Sequence, residues 1–149
     1  MSPLHQEKMR VAAPPEMVQQ WILAPEKVLE YAPGPVDCGL FRPGEQVWIR
    51  LKTGVTLLEK VHEESTDNRT TVRVTASTLK RNPTSVTEIE SNRLMTFYED
   101  WDLIRADSGT QIQKTWRDLT KHKMRWMPFG WLIQRSAKRD AAALEAAWG

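Results

Sequence analysis

Two oppositely charged residues lie among aromatic side chains in the second half of the sequence. Glu99 falls between Phe97 and Trp101, and Lys114 comes two residues before Trp116. Because burying a lone charge is costly, these two residues should pair with each other or face a wet cavity. They could orient the polar end of a ligand in an aromatic pocket, or form a structural cross-strand ion pair. A local bulge that turns one of them outward is a third interpretation.

A β-hairpin is the element that would bring these residues together. The patterns of Leu94–Ile104 and Thr110–Thr120 predict strands, with Asp107, Ser108 and Gly109 at the bend. If Arg105 and Thr110 flank the turn, the facing pairs are Leu103 with Ile112, Trp101 with Lys114, Glu99 with Trp116 and Phe97 with Asp118. This face is mostly apolar, and we predict that it points inward.

The other residues that could bind a metal or act in catalysis are scattered along the sequence. His5, His62 and His122 are far apart and lack the spacing of metal ligands. His62 has three glutamates nearby and could serve as a general base, although a lone strand histidine is more often superficial or structural. Cys38 is the single cysteine and is interpreted as a packed or partly exposed thiol. Without a phosphate loop or a nucleophile elbow, the sequence predicts no metal and no cofactor, and leaves the catalytic residues unknown.

The composition is that of a globular protein. The 149 residues fit one domain, residues 1–149, with 40% hydrophobic and 27% charged residues. No stretch approaches the ~20 apolar residues of a spanning helix, and the first residues lack a signal-like apolar run, so we expect a cytoplasmic protein. Basic and acidic residues interleave at a net charge of +2, which argues against a nucleic-acid partner. Seven tryptophans indicate either a bulky core or an aromatic-lined cavity.

The order of elements predicts an α+β fold. A strand at 4–11 precedes two short helices, from Pro15 to Ile22 and from Glu26 to Tyr31. An antiparallel meander should follow, with strands at Val36–Phe41, Gln46–Lys52, Val55–His62, Thr71–Thr78, Ser85–Glu90, Leu94–Ile104 and Thr110–Thr120. A long helix from Pro128 to Trp148 carries one apolar stripe, formed by Ile133, Ala137, Ala141, Leu144 and Trp148. The sheet is the surface against which this stripe should pack.

Two stretches carry a resemblance to a known superfamily. They are VAAPPEMVQQWILAPEKVLEYAPG at residues 11–34 and GWLIQRSAKRDAAALEAAW from Gly130, and the turn from Gly109 to Ile112 adds to them. In this layout the chain resembles the START-like (SRPBCC) helix-grip superfamily, nearest its polyketide cyclase/dehydrase and lipid-transport group. The resemblance implies a curved antiparallel sheet of about seven strands wrapped around the C-terminal helix, with an internal cavity between them. No catalytic signature is shared across the superfamily, so the fold does not give the function.

We therefore expect the chain to bind a hydrophobic small molecule, lipidic or aromatic, between the sheet and the C-terminal helix. The predicted ligand-binding residues are Val72, Val74, Phe97, Glu99, Trp101, Lys114, Trp116, Ile133 and Ala137. The alternative is an enzyme of the polyketide cyclase or dehydratase type that uses Glu99 or His62 as a general acid or base. For the strand at 46–52, the pattern does not decide whether Trp48 and Arg50 or Val47 and Ile49 point inward.

A basic and aromatic segment, Lys121–Trp131, separates the last strand from the final helix. It could contact an anionic membrane surface, because lysine and arginine attract headgroups and tryptophan favours the interface. It could instead form a mouth loop that gates the cavity, contact a partner protein, or be a solvated linker whose tryptophans pack on the sheet. The sequence leaves these interpretations open and does not give the oligomeric state.

Overall fold

A computed structural model of the chain describes residues 3–32, 35–41, 46–51, 54–81, 83 and 85–149, with the backbone alone for 35–41, 46–51, 54 and 86. The elements in chain order are β1 (Pro3–Val11), α1 (Pro15–Trp21), α2 (Pro25–Val28), β2 (Pro35–Phe41), β3 (Gln46–Leu51), β4 (Gly54–Ser65), β5 (Arg69–Leu79), α3 (Val86–Asn92), β6 (Arg93–Ala106), β7 (Gly109–Lys121) and α4 (Phe129–Trp148).

The seven strands form one antiparallel sheet in the order β1-β7-β6-β5-β4-β3-β2. Strands β2 to β7 follow one another as a meander, because each is joined to the next by a short connection or by α3. Strand β1 pairs with β7 and so brings the beginning of the described chain beside its last hairpin. The predicted α+β class, antiparallel sheet and C-terminal helix are confirmed.

Prolines begin the two short helices that follow β1. Pro15 and Pro25 occupy the first helical positions, where a missing N–H costs nothing and the fixed φ suits the helix. The second helix starts one residue earlier than predicted and ends at Val28. Val18 and Ile22 turn inward and are fully buried, so α1 covers the inner face of β5 and β6.

The strand predicted at Ser85–Glu90 is wrong, because this segment forms helix α3. Ser85 caps the helix: its hydroxyl accepts a hydrogen bond from the backbone N–H of Glu88 at 3.2 Å. Asn92 closes the last turn by donating to the Glu88 carbonyl at 2.7 Å. Ile89 is buried in a small cluster with Val55, Leu57 and Leu79, which fixes the helix to the sheet.

The main core lies between one face of the sheet and α4, which runs along β1 and β7. The α4 residues that are buried include the whole predicted stripe: Ile133, Ala137, Ala141, Leu144 and Trp148, together with Phe129. In the turn of the β6–β7 hairpin, Gly109 has φ +146°, and a Cβ there would lie 2.0 Å from the Val11 carbonyl oxygen. The β6–β7 turn therefore approaches the end of β1 as closely as only glycine allows.

Some sequence predictions fall outside the described residues. The turns at 42–44 and 53–54, the break at 33–35 and the bend at 80–83 lie wholly or partly there. Two further questions concern side chains that are likewise not described: which β3 residues face inward, and what surrounds the Cys38 thiol. Of the helices in the described ranges, none combines the length and apolar content that crossing a bilayer requires.

Candidate functional site

The inner face of the sheet is built from aligned rows of side chains. Across β5, β6 and β7, one row contains Val74, Glu99 and Trp116, and the next contains Val72, Trp101 and Lys114. Because directly opposed residues in an antiparallel pair point to the same side, all six share one face. The predicted pairings Glu99–Trp116, Trp101–Lys114 and Leu103–Ile112 are confirmed.

The predicted pairing of Phe97 with Asp118 is wrong. The β6–β7 register shifts between Thr96 and Tyr98, and Asp118 adopts a left-handed φ of 58°. An extra residue on β7 therefore makes a bulge at this point, which bends the strand and increases its twist. Phe97 is nevertheless buried as a member of the core cluster.

Lys114 is the central charged residue of the site. It is only 2% exposed, and its Nζ lies 3.2 Å from Oε1 of Glu99. The same ammonium group lies 4.2 Å from the ring centroid of Trp101 and 4.6 Å from that of Trp116. The two indole faces and the carboxylate together replace much of the hydration that the cation loses on burial.

Helix α4 adds a second carboxylate. Asp140 Oδ1 is buried and has no hydrogen-bond partner among the residues that the structure describes. Burial raises the pKa of Asp140 to about 6, and the charge of Glu99 adds to that rise, whereas Lys114 and Arg139 oppose it. A carboxyl with this pKa changes its protonation state within the range where enzymes and binding proteins work.

Tyr31, in the segment after α2, lies near the carboxylates of Glu99 and Asp140. Burial raises the pKa of Tyr31 well above its usual range, and the negative charges of Glu99 and Asp140 add to the effect. Its ring meets that of Trp148 edge-on, with the centroids 5.0 Å apart. Trp148 in turn donates from Nε1 to Oε2 of Glu30 at 3.0 Å, which ties the end of α4 to the α2 region.

Strand β1 extends both rows with polar residues. His5 lies opposite Trp116 and Glu7 lies opposite Lys114. The His5 Nε2 is 2.6 Å from Oε1 of Glu7, and the imidazole and Trp116 ring centroids are 5.9 Å apart. We define the polar cluster as His5, Glu7, Tyr31, Glu99, Lys114 and Asp140.

Sequence reasoning identified Glu99 and Lys114 but missed the other four members of the polar cluster. His5 and Glu7 occupy alternate positions of β1 with Met9 and Val11, and this alternation could have placed them on the inner face. Asp140 lies three residues after Ala137 on the predicted stripe, one helical turn away. For Tyr31, the sequence carries no signal of proximity to the hairpin.

All nine predicted ligand-binding residues belong to this one region. Those that are apolar lie in a single core cluster: Val72, Val74, Phe97, Trp101, Trp116, Ile133 and Ala137. Glu99 and Lys114 form the ion pair within it. By contrast, His62 is exposed on β4, where its Nε2 lies 3.8 Å from Glu64, and His122 lies 2.9 Å from the Thr96 hydroxyl.

Two open clefts border the described core. The first, of about 440 Å³, lies between α1 and strands β4 and β5 and reaches Val72; it is lined by Glu16, Gln19, Gln20, Ile22, Leu23, Lys60, Glu63 and Val72. The second, of about 390 Å³, lies at the β6–β7 bulge and reaches Phe97; it is lined by Thr96, Phe97, Tyr98, Asp118 and Thr120. Within the described ranges, no group of three or more His, Cys, Asp or Glu residues is arranged to hold a metal ion.

Comparison with known proteins finds similarity in structure rather than in sequence. No family model matches the chain, and no curated protein matches it either. A protein of Rhizobium leguminosarum, described as a putative uncharacterized protein, superimposes with a TM-score of 0.63 at 15% identity, over 97% of this chain and 92% of its own. XoxI from Bacillus cereus gives a TM-score of 0.62 at 13% identity, over 99% and 96% of the two chains.

A third structure is DynU16, described as a putative protein in the dynemicin biosynthetic locus. It gives a TM-score of 0.56 at 13% identity, over 95% of this chain but only 45% of its own. At these identities the likeness concerns the fold alone. The chain thus shares with these proteins an antiparallel sheet and a C-terminal helix, an arrangement compatible with the helix-grip fold that its sequence resembles.

Proposed function

We propose that this chain is a START-like helix-grip protein that binds an apolar small molecule between the sheet and α4. The observation that carries the proposal is the buried Lys114–Glu99 pair, whose ammonium group lies over the rings of both Trp101 and Trp116. An aromatic wall with a few convergent polar groups is the usual composition of a small-molecule site. The apolar part of the ligand would contact the indoles, and its polar end would meet the Lys114–Glu99 pair.

Two unpaired polar atoms also support a ligand rather than a purely structural role. Trp101 Nε1 and Asp140 Oδ1 are buried without a partner among the described residues. Leaving a buried donor or acceptor unpaired costs about 1–3 kcal/mol, and native proteins rarely retain such groups without a reason. A ligand hydroxyl could accept a hydrogen bond from the indole N–H or donate one to the carboxylate oxygen.

Helix α4 contributes two small side chains to this site. Ala137 and Ala141 are buried in the same core cluster as Trp101 and Trp116, and larger side chains there would occupy space between helix and sheet. The two clefts reach the wall at Val72 and at Phe97, so each offers a way in from the surface.

The test uses N-phenyl-1-naphthylamine, an uncharged probe whose emission rises in apolar surroundings. The wild-type protein should give a saturable increase, and Ala137→Leu should weaken binding by about tenfold or more because the added carbons occupy the site. The matched control is Ala146→Leu on the exposed side of the same helix, which should bind as the wild type does. Equal affinity in the two variants, or no saturable signal from the wild type, would refute the proposal.

Asp140 favours a second candidate function, an enzyme of the cyclase type. Its buried, unpaired oxygen and its pKa of about 6 suit a general base. On a linear 1,3,5-triketone that ends in a methyl group, it would take a proton from that methyl carbon, which then bonds to the carbonyl carbon at the far end and closes a six-membered ring. The alkoxide formed takes up a proton, and loss of water followed by enolisation gives the phenol. The resemblance of the sequence to the polyketide cyclase/dehydrase group makes this class of substrate the first choice.

An aryl-substituted 1,3,5-triketone, followed by the absorbance of the phenolic product, tests this second function. The wild type should accelerate ring formation, and Asp140→Asn should abolish the acceleration while still binding the naphthylamine probe. A wild-type rate equal to that of buffer would eliminate the enzymatic candidate and leave the binding function standing.

A further inference from the structure

A stretch without acidic residues runs from the end of β7 into α4. Residues 119–139 contain six lysines and arginines and neither aspartate nor glutamate. The six are Lys121, Lys123, Arg125, Arg135, Lys138 and Arg139. Since the whole chain has a net charge of only +2, the remainder must be net acidic. Positive charge is therefore concentrated in one stretch of the chain rather than spread evenly along it.

Large apolar side chains are exposed in the same stretch. Trp126 is 77% exposed, Trp131 56% and Met124 43%. Exposed side chains of this size are seldom grouped on a protein surface unless they serve an interaction. We define the basic–aromatic surface as residues 121–126 together with Trp131 and Arg135.

The loop of this surface is held in place by hydrogen bonds. The backbone N–H groups of His122 and Lys123 both donate to the Leu94 carbonyl. The Lys121 ammonium donates to the Met127 carbonyl at 2.8 Å, and that of Lys123 donates to the Ser91 carbonyl. Phe129 is buried in the core just beyond the loop. The exposure of Trp126 and Met124 is thus a property of an anchored loop.

The positive charges of the surface are not neutralised within the described part of the chain. None of the six basic residues forms an ion pair there with an aspartate or glutamate. The carboxylate of Glu90, close in sequence to Ser91, is paired with Arg93 at 3.1 Å. Arg135 lies over the Trp131 ring, 5.5 Å from its centroid, so cation and indole are presented together.

We propose that the basic–aromatic surface docks on an anionic lipid bilayer. Lysine and arginine are attracted to acidic headgroups, and tryptophan side chains favour the level of the headgroups, where one edge is apolar and the other hydrated. A protein partner would more usually find its aromatic anchors in a flat patch with a polar rim. Here the apolar side chains project from a loop among cations, which suits shallow insertion between headgroups.

The test measures co-sedimentation with vesicles of roughly 3:1 phosphatidylcholine and phosphatidylserine, and with vesicles of phosphatidylcholine alone. The full chain should bind the anionic vesicles and not the neutral ones, and added salt should weaken the binding. Replacing Lys123, Arg125 and Arg135 by glutamine should lower the affinity about a hundredfold, at about fivefold per charge.

Two matched controls separate a local surface from a general charge effect. Lys8→Gln, Arg10→Gln and Arg81→Gln together remove the same charge from exposed positions elsewhere and should change binding only slightly. Met124→Ala should weaken binding, whereas Met17→Ala, at 44% exposure on α1, should not. The proposal is overturned if the wild type does not prefer anionic vesicles, as a protein interface would predict, or if the two triple variants lose equal affinity. Binding of the naphthylamine probe is unaffected in either case, so the two proposals can fail separately.

Discussion

A buried lysine between two indoles is stable only while carboxylates accompany it. Lys114 sits 3.2 Å from Glu99, and Asp140 lies close enough for its pKa to be lowered by the Lys114 charge. Once removed from water, a charge depends on its partners, so the loss of one partner costs far more than the pair contributes over an apolar replacement. The ion pair is therefore the point where a single substitution should disturb the site most.

The Glu99–Lys114 pair can be tested by a double-mutant cycle. Glu99→Gln should lower the free energy of unfolding by about 3 kcal/mol, because it leaves the Lys114 charge poorly compensated. The double variant Glu99→Gln/Lys114→Met should be more stable than either single variant, since neither charge then remains unpaired. Urea denaturation measures the three values.

The exposed pair between Arg69 and Asp102, with N and O 2.9 Å apart, is the control for this cycle. Arg69→Ala should cost no more than about 1 kcal/mol, as is usual for a solvated ion pair. If Glu99→Gln costs as little as Arg69→Ala, water reaches Lys114 freely and the polar cluster is not a desolvated site.

Among the elements, the last hairpin and the long helix were predictable because each has a period that matches its burial. Alternation placed Trp101 opposite Lys114, and steps of three and four placed Ile133 and Ala137 on one stripe. The pairing of Phe97 failed because a bulge adds a residue to one strand, and no alternation pattern encodes that addition.

Helix α3 was mistaken for a strand because a seven-residue segment has room for barely two turns of periodicity. The better signal was local: Ser85 and Glu88 stand three residues apart, the spacing of a capping box. In the structure the Ser85 hydroxyl makes the expected bond to the Glu88 N–H. Capping chemistry thus identifies a short helix where hydrophobic periodicity cannot.

The cap of α3 is tested by Ser85→Ala. The substitution should lower the free energy of unfolding by about 1 kcal/mol, because it leaves a backbone N–H of the first turn without its partner. Ser85→Asp should restore the stability, since aspartate caps as well as serine. Thermal unfolding provides the measurement.

Ser136→Ala, on the exposed side of α4, is the control for the cap, and it should change stability by less than about 0.5 kcal/mol. Equal effects of Ser85→Ala and Ser136→Ala would mean that the hydroxyl does not stabilise α3.

At the scale of the whole molecule, the site depends on contacts between segments far apart in sequence. Strand β1 brings His5 and Glu7 beside β7, and the end of α2 brings Tyr31 toward Glu99 and Asp140. A local pattern can show that a strand has an inner face, but it cannot show which strand will be its neighbour. The wall of the site was therefore predictable from the sequence, whereas most of its polar groups were not.

One consequence for the whole molecule is a dependence of stability on pH that originates at Asp140. Its pKa is about 6 in the folded protein and about 3.9 when unfolded, so the folded state binds the extra proton between these values. Stability contributed by the protonated carboxyl is fully present below pH ~4 and is lost as the pH rises through about 6. The loss is on the order of 3 kcal/mol, because one pKa unit corresponds to about 1.4 kcal/mol.

Asp140→Asn should remove this dependence, because asparagine resembles the protonated carboxyl and cannot ionise. The variant should be more stable than the wild type at neutral pH, with an advantage that shrinks as the pH falls from about 6 to about 4. Urea denaturation of both proteins across this range gives the difference, in which contributions common to the two proteins cancel. Asp107→Asn, in the exposed hairpin turn, should show a flat difference over the same range. A flat difference for Asp140→Asn as well would mean that this carboxyl is solvated and would remove it from the polar cluster.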